Sequence, residues 1–209
     1  IDADLDGVRK IVTTPRGKVR AEHVVFATNA FPGAGFSALQ RTILPVATYL
    51  GVTKPLGEQL ATAIRYAGCI QDDRNSFNYY RLLGDRLLWG AGISVDLKEP
   101  SDLGQLLQRR IASVFPQLEG AEMESVWSGI MGFAVHRMPQ IGMLKPGAWI
   151  ASAFGGQGLN TTAMAGELIA SAITEKDDRW RLFIPFGLVW AGGWLGRAYA
   201  QSGWWSRTL

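Results

Sequence analysis

The chain of 209 residues has a single cysteine, Cys69, and only two histidines, His23 and His136. One thiol excludes an intramolecular disulfide and a cysteine-based zinc cluster, and two imidazoles argue against a multi-histidine metal site. The same scarcity suits a reducing, cytoplasmic setting. Excess charge of one sign is also missing: 21 lysines and arginines against 18 aspartates and glutamates leave +3. No basic run is interleaved with aromatics, which argues against a nucleic-acid binder. Long hydrophobic runs are absent too. A spanning helix needs roughly 20 consecutive apolar residues, and the nearest candidate, Leu182 to Gly196, is broken by Pro185 and by glycines. That run can touch a membrane surface or a partner without crossing. The chain opens on Ile1 in polar sequence, with no signal-peptide pattern, internal repeat or low-complexity segment.

What is there suffices for a substantial core: 47% of residues are hydrophobic and 19% charged. Residues 8–13 and 19–27 read as strands joined by a turn at Pro15-Arg16-Gly17-Lys18, the second running out in Ala27-Thr28-Asn29. An apolar strand that ends in small residues before a loop is where open α/β sheets place ligands, although any buried strand must also end somewhere. Residues 43–53 read as a strand with Pro45 at its entry, and 57–66 as a short helix. NSFNYYRLLGDRLLWGAGI reads as a hairpin turning at Gly84-Asp85. Alternation puts Phe77, Tyr79, Arg81 and Leu83 on one face and Asn78, Tyr80 and Leu82 on the other. Such faces suit a ligand cavity, and equally a sheet with aromatic cross-strand pairs. Ser101 to Phe115 carries a helical stripe of Leu103, Leu106, Leu107, Ile111 and Val114, with Ser101 as the expected cap and Pro116 as its stop. A strand around Val126-Trp127 follows at 122–130. His136 and Arg137 precede Pro139, but no nucleophile or second base nearby completes a hydrolytic set, so a structural histidine is the favoured reading.

The stretch that organises the rest is WIASAFGGQGLNTTAMAGELIASAI, from Trp149 to Ile173. It reads as a buried strand to Phe154, a glycine turn at Gly155-Gly156-Gln157-Gly158, and a helix. Leu159, Ala163, Gly166, Ala170 and Ile173 share one face of that helix. Helix-start N–H groups lack intrahelical partners and carry the positive end of the dipole, so such a turn suits a phosphate or a polarised ring carbonyl. Asn160, Thr161 and Thr162 can cap the helix or contact a ligand. A glycine turn that merely packs a helix on a sheet looks the same. The spacing is not G-x-G-x-x-G.

In combination, VVFATNA, NYYRLLGDRLLWGAG, Trp127, RMPQIG and WIASAFGGQGLNTTAMAGELIA resemble the C-terminal half of the FAD-dependent amine and amino-acid oxidoreductases. That family holds the D-amino-acid, glycine and sarcosine oxidases, and the proline–glycine–tryptophan tail resembles its gamma-glutamylputrescine oxidase subgroup. The resemblance implies an α/β plus antiparallel-sheet (α+β) architecture. Residues 1–42 and 146–179 would be parts of an FAD-binding domain, 43–145 a substrate domain and 180–209 an aromatic tail. It also implies a missing N-terminal FAD-binding segment, since no G-x-G-x-x-G cradle is present.

By the same resemblance, Gly155, Gly156, Gly158, Leu159, Asn160 and Thr161 meet the flavin ring, and Ala27, Thr28 and Asn29 pass beside it. Sarcosine oxidases attach flavin through a cysteine near the position of Phe133 to Val135; none stands here, which implies non-covalent FAD. The substrate-carboxylate arginine of glycine and D-amino-acid oxidases falls at Ile130-Met131, and a sarcosine oxidase lysine falls at Asn160. Both losses point to a small-molecule amine, such as a gamma-glutamylated polyamine, with Tyr80, Arg81 and His136 as candidate pocket residues. Two alternatives stay open: an amino-acid oxidase or dehydrogenase anchoring its substrate through Arg81, and a non-catalytic module whose tail docks a partner nucleotide domain.

Overall fold

The computed structural model describes residues 1–33, 36–73 and 78–205, the side chains of Trp204 and Trp205 excepted. Phe77, assigned above to a hairpin face, lies outside the described residues. The first elements are β1 (Asp2–Asp4), β2 (Lys10–Thr14), β3 (Gly17–Ala21), β4 (Val24–Phe26), α1 (Ser37–Gln40) and β5 (Leu44–Thr53). Then come α2 (Glu58–Ala63), β6 (Ile70–Gln71), β7 (Tyr79–Leu83), β8 (Arg86–Ser94) and α3 (Leu103–Val114). The last are β9 (Met123–Phe133), β10 (Gln140–Lys145), β11 (Ala148–Ser152), α4 (Gly158–Thr174) and α5 (Gly193–Trp205). Helices and mixed sheets together make the α+β class expected above.

The chain divides into two units, residues 1–45 with 131–197 and residues 46–130 with 198–209. The segment expected at 43–145 is therefore shared, residues 43–45 and 131–145 falling in the first unit. The reason is pairing: β10 runs antiparallel to β11, Gln140 opposite Ser152, so RMPQIG is held by the sheet that carries the glycine turn.

In the first unit, β1, β2 and β3 form one antiparallel sheet. Thr14 pairs with Gly17, leaving Pro15-Arg16 as a two-residue turn. The single strand expected over 19–27 is two. β3 ends at Ala21, and β4 starts at Val24 in another sheet, of order β10-β11-β4, where it lies parallel to β11. A parallel strand must be covered on both faces, and β11 is buried along its whole length. Trp149 and Ala151 pack on Ala165 and Ile169 of α4. Ile150, on the other face, joins Phe26 and Leu39. The helix stripe expected from Leu159 to Ile173 is rotated: the buried positions are Ala165 and Ile169, while Leu159 is 98% exposed. Small residues at 163, 166 and 170 offer little area to bury, so Ile169 sets the packing instead.

The second unit centres on the sheet β6-β7-β8-β5-β9. Leu103, Leu107 and Ile111 of α3, one face at i, i+4 and i+8, pack with Leu60, Leu87, Trp89 and Ala91. Gly84 turns the β7–β8 hairpin at φ 62, a conformation glycine adopts without strain. The expected Ser101 cap is absent. Asp102 takes the N-cap position without a capping bond, and its carboxylate accepts from the Arg109 guanidinium at 3.2 Å. Among the described residues no helix is long and apolar enough to cross a membrane.

Candidate functional site

The glycine turn is held from below. The Gly155 N–H donates to the Gly132 carbonyl at 2.9 Å, and Phe133 bridges Phe154 across the strands. Gly155 has φ 57, and a Cβ there would stand 2.8 Å from the Phe133 ring, so both backbone and space require glycine. Ala153, buried just before it, also sits in the left-handed region at φ 55. Non-glycine residues are held there only when their surroundings over-determine them, and such strain gathers at ligand sites.

Asn29 ties the end of β4 to the same turn. It has φ 49, a conformation asparagine tolerates better than most residues. Its Oδ1 accepts the Gly132 N–H at 3.0 Å, and its carbonyl accepts the Ser152 hydroxyl at 3.0 Å. Gly132, Asn29 and the turn are thus locked together by neighbouring strand ends.

Between them lies a cavity of about 610 Å³, within the size range of small-molecule sites. Val25, Ala27, Asn29, Met131, Gly155 and Gly158 line one end; Thr162, Gly166, Ala170 and Ile173 continue along α4. At about 1.5 Å per residue, the run from Gly158 to Ile173 is about 22 Å long, so the cavity is a groove. Its walls are almost wholly apolar, Asn29 and Thr162 being the polar exceptions.

The helix start at the groove's end is open. Gln157 occupies the N-cap without a side-chain cap bond. The expected caps turn inward: the Thr161 hydroxyl donates to the Gln157 carbonyl at 2.5 Å and the Thr162 hydroxyl to the Gly158 carbonyl at 2.6 Å. The first N–H groups of this seventeen-residue helix thus lack a side-chain cap as well as intrahelical partners.

Of the candidate cofactor contacts, the structure brings Ala27, Asn29, Gly155 and Gly158 onto one cavity. Thr28 sits between them in sequence, its carbonyl accepting the Phe31 N–H at 2.9 Å. Gly156, Leu159 and Asn160 stand exposed on the turn and the first helical residues, with Thr161 half-buried behind them. His136 lies in this unit but braces the chain: its Nδ1 accepts the Met138 N–H at 3.2 Å, and Nε2 lies 3.4 Å from the Gly187 carbonyl. The neutral tautomer with its proton on Nε2 satisfies both.

Tyr80 and Arg81 belong to the second unit. Tyr80 stacks on Trp89 with ring centroids 4.4 Å apart and meets Phe115 edge-on at 5.5 Å. Burial pushes its hydroxyl pKa above the usual value, with the nearby Asp72 charge adding to the shift. Arg81 is exposed on the other face of β7. On that face the Tyr79 hydroxyl and the Thr48 hydroxyl are 3.3 Å apart, over Gly90, where any Cβ would collide with the Tyr79 ring.

The profile of the family described as "FAD dependent oxidoreductase" (DAO) matches residues 1–172. The chain belongs to this family. Gamma-glutamylputrescine oxidoreductase of Escherichia coli K12 is 32% identical over 176 residues, 83% of this chain and 41% of that protein. The probable oxidoreductase OrdL of Haemophilus influenzae is 31% identical over 178 residues, 82% of this chain and 40% of its own length. The chain thus spans about two fifths of the curated relatives it matches. Among solved structures, glycine oxidase from Geobacillus kaustophilus shares the fold with a TM-score of 0.71 at 24% identity, over 90% of this chain and 50% of that one. L-proline dehydrogenase from P. horikoshii gives 0.70 at 19% identity, over 89% and 52%.

The family's cofactor is FAD, and the groove's end has features that suit the flavin ring: an apolar slot for a flat ring beside open helix-start N–H groups for a ring carbonyl. Thr162, named from the sequence as able to cap the helix or contact a ligand, lines the groove, whereas sequence reasoning does not single out Val25, Met131, Phe133 or Phe154 as contacts. The small-residue periodicity of α4 is the available signal, and in the sequence it fits a helix packed on a sheet as well as a ligand site.

Proposed function

We propose that this chain forms the ring-facing and substrate-domain part of an FAD-dependent enzyme that oxidises an amine. The observation that carries the reading is the uncapped start of α4, opening beside Ala27 and Asn29 at the end of an apolar groove. In a member of this family, that arrangement suits negative charge on the pyrimidine side of the flavin. Bound there, FAD would supply two-electron oxidation of a carbon–nitrogen bond, giving an imine that water converts to a carbonyl compound and ammonia.

The chain's own share is placement. Gly155 and Gly158 let the ring approach the backbone, Asn29 fixes β4 against the turn, and the apolar walls keep water out. Thr28, Gly156, Leu159, Asn160 and Thr161 complete the proposed ring contacts. Tyr80, Arg81 and His136 remain the proposed substrate-side residues, Tyr80 acting through packing and Arg81 as the exposed cation. With no cysteine near Phe133 to Val135, FAD is held without a covalent bond.

The substrate proposed is an amine rather than a small amino acid, with a gamma-glutamylated polyamine as the leading class. Ile130 and Met131 offer no cation for a carboxylate, and the 32% identical relative is named for gamma-glutamylputrescine. The nucleotide-binding half is supplied by a further segment or partner. The groove favours this: it is far longer than a flavin ring needs, and β4 is an edge strand of its sheet among the described residues.

The deciding experiment takes the protein joined to that nucleotide half and records its visible spectrum before and after acid precipitation. Flavin colour that leaves with the supernatant, followed by peroxide or dye reduction with gamma-glutamylputrescine but not with glycine or sarcosine, supports the reading. Flavin in the pellet would overturn the non-covalent assignment. A preference for small amino acids that is lost in Arg81→Ala would favour the amino-acid oxidase alternative. A colourless, stable complex would favour the docking module.

A further inference from the structure

The flavin site does not explain the surface of the chain after α4. Residues 182–196, LFIPFGLVWAGGWLG, contain no charged residue and no hydroxyl or amide side chain. Buried, such a run would be ordinary core. Here it is outside: Leu182 is 74% exposed, Ile184 56%, Trp190 63%, Trp194 76% and Leu195 57%. Leu188 and Val189 are exposed as well, and Trp190 and Leu188 line a surface cleft with Arg41. Trp180, upstream of the run, and Phe183 within it pack on the core beside α4, Trp180 edge-on against Trp149 at 5.6 Å.

Asp177 and Asp178 stand upstream of the run, and beyond them the charged side chains have one sign. From residue 179 onward the chain holds Arg179, Arg181, Arg197 and Arg207 and no aspartate or glutamate. Arg179 is spent on Asp177 and Glu167. Arg41, Arg181 and Arg197 form no ion pair among the described residues; Arg181 instead lies over the Trp180 ring at 5.7 Å.

We infer that this surface, residues 182–197 with Arg41 and Arg181, docks the protein on an anionic lipid bilayer. Pro185 and the glycines make the run too short and too broken to span, so it lies in the interface. Indole rings settle at headgroup level, aliphatic side chains enter the acyl boundary, and arginines meet lipid phosphates. A protein partner fits less well. Protein interfaces surround an apolar centre with a polar rim that forms about one hydrogen bond per 100–200 Å². Between Leu182 and Gly196 the only side-chain donors are the indole N–H groups of Trp190 and Trp194.

The test is flotation of the full chain with vesicles of equal phosphatidylglycerol and phosphatidylcholine, compared with pure phosphatidylcholine. Binding is expected on the anionic vesicles and should weaken at high salt, as screening requires. Trp190→Ala with Trp194→Ala should lower partitioning roughly tenfold or more, from the apolar ring area removed. Arg181→Gln with Arg197→Gln should lower it less and flatten the salt dependence. All four side chains are exposed, so circular-dichroism melts of both variants should match the parent. Absence of flotation on anionic vesicles would overturn the inference. So would binding unaffected by the tryptophan changes, or a self-associated species that those changes convert to monomer while vesicles bind nothing.

Discussion

Replacing Gly155 by alanine tests whether the turn at the start of α4 is a built site or an ordinary connection. Two costs add there. The backbone is left-handed at φ 57, which costs an L-residue about 1–2 kcal/mol. The new Cβ would stand 2.8, 3.1 and 3.4 Å from three atoms of the Phe133 ring, whose backbone is pinned by the Phe133–Phe154 bridge. Moving a packed ring costs typically 1–3 kcal/mol. The expected loss is therefore about 2–5 kcal/mol, large against the stability of most domains. Gly156 is the internal control. Its backbone is not left-handed and a Cβ there meets nothing within 4 Å, so Gly156→Ala should stay within about 0.5 kcal/mol of the parent. Urea unfolding of the three proteins, read as midpoint and slope by circular dichroism and tryptophan fluorescence, makes the comparison. If Gly155→Ala proves no less stable than Gly156→Ala, the account of this turn is wrong.

The remaining predictions bear on the rest of the chain. Tyr80→Ala should cost about 3–5 kcal/mol through loss of its stacking on Trp89 and Phe115, whereas Tyr80→Phe should cost under about 1 kcal/mol in chemical denaturation, because the ring rather than the hydroxyl makes those contacts. In the assembled enzyme, unchanged turnover and KM in both Tyr80→Phe and Arg81→Ala would remove those residues from the substrate side. Gly166→Ala, in mid-helix with open space around its Cβ, should stabilise the chain by about 0.5–1 kcal/mol in a thermal melt. The Lys145 ammonium, bonded to Asp6 at 2.8 Å, holds that carboxyl below the usual 3.8. A lowered carboxylate contributes stability in full above its unfolded value and loses it as pH falls through the folded one, so Asp6→Asn should flatten the most acidic limb of stability against pH.

How much of this was legible in the sequence varied with the kind of signal. The α3 helix was, because Leu103, Leu107 and Ile111 repeat at helical spacing and Pro116 closes the segment. The β7–β8 hairpin was, because Gly84 can take the left-handed turn that joins alternating strands. The division of 19–27 between two sheets was not. Strand propensity is continuous across Glu22 and His23, and only the distant pairing of β4 with β11 separates them. Which face of α4 is buried was hidden for the same reason: small residues satisfy a helical period without saying whether they meet a sheet or an open groove. The glycine turn was legible as a motif, but the reason it needs Gly155 lies on Phe133, more than twenty residues earlier in the chain.

That last dependence explains why the candidate site is divided between legible and illegible parts. Ala27, Asn29, Gly155 and Gly158 are small or conformationally permissive residues, and their scarcity of side chain is itself a local signal of close approach. Val25 and Met131 carry no such mark; each is ordinary for its strand, and only the tertiary fold brings them onto one groove. The two kinds answer to different selection. Changing a permissive residue strains the backbone whether or not a ligand is present, so Gly155→Ala should be costly in the isolated chain. Changing a wall residue alters what the groove accepts and little else. Met131→Ala should therefore leave urea unfolding within about 1 kcal/mol of the parent, since the side chain is only partly buried, while weakening flavin retention in the assembled enzyme. Equal losses of stability in the two variants would mean that the groove is packing space rather than a binding site.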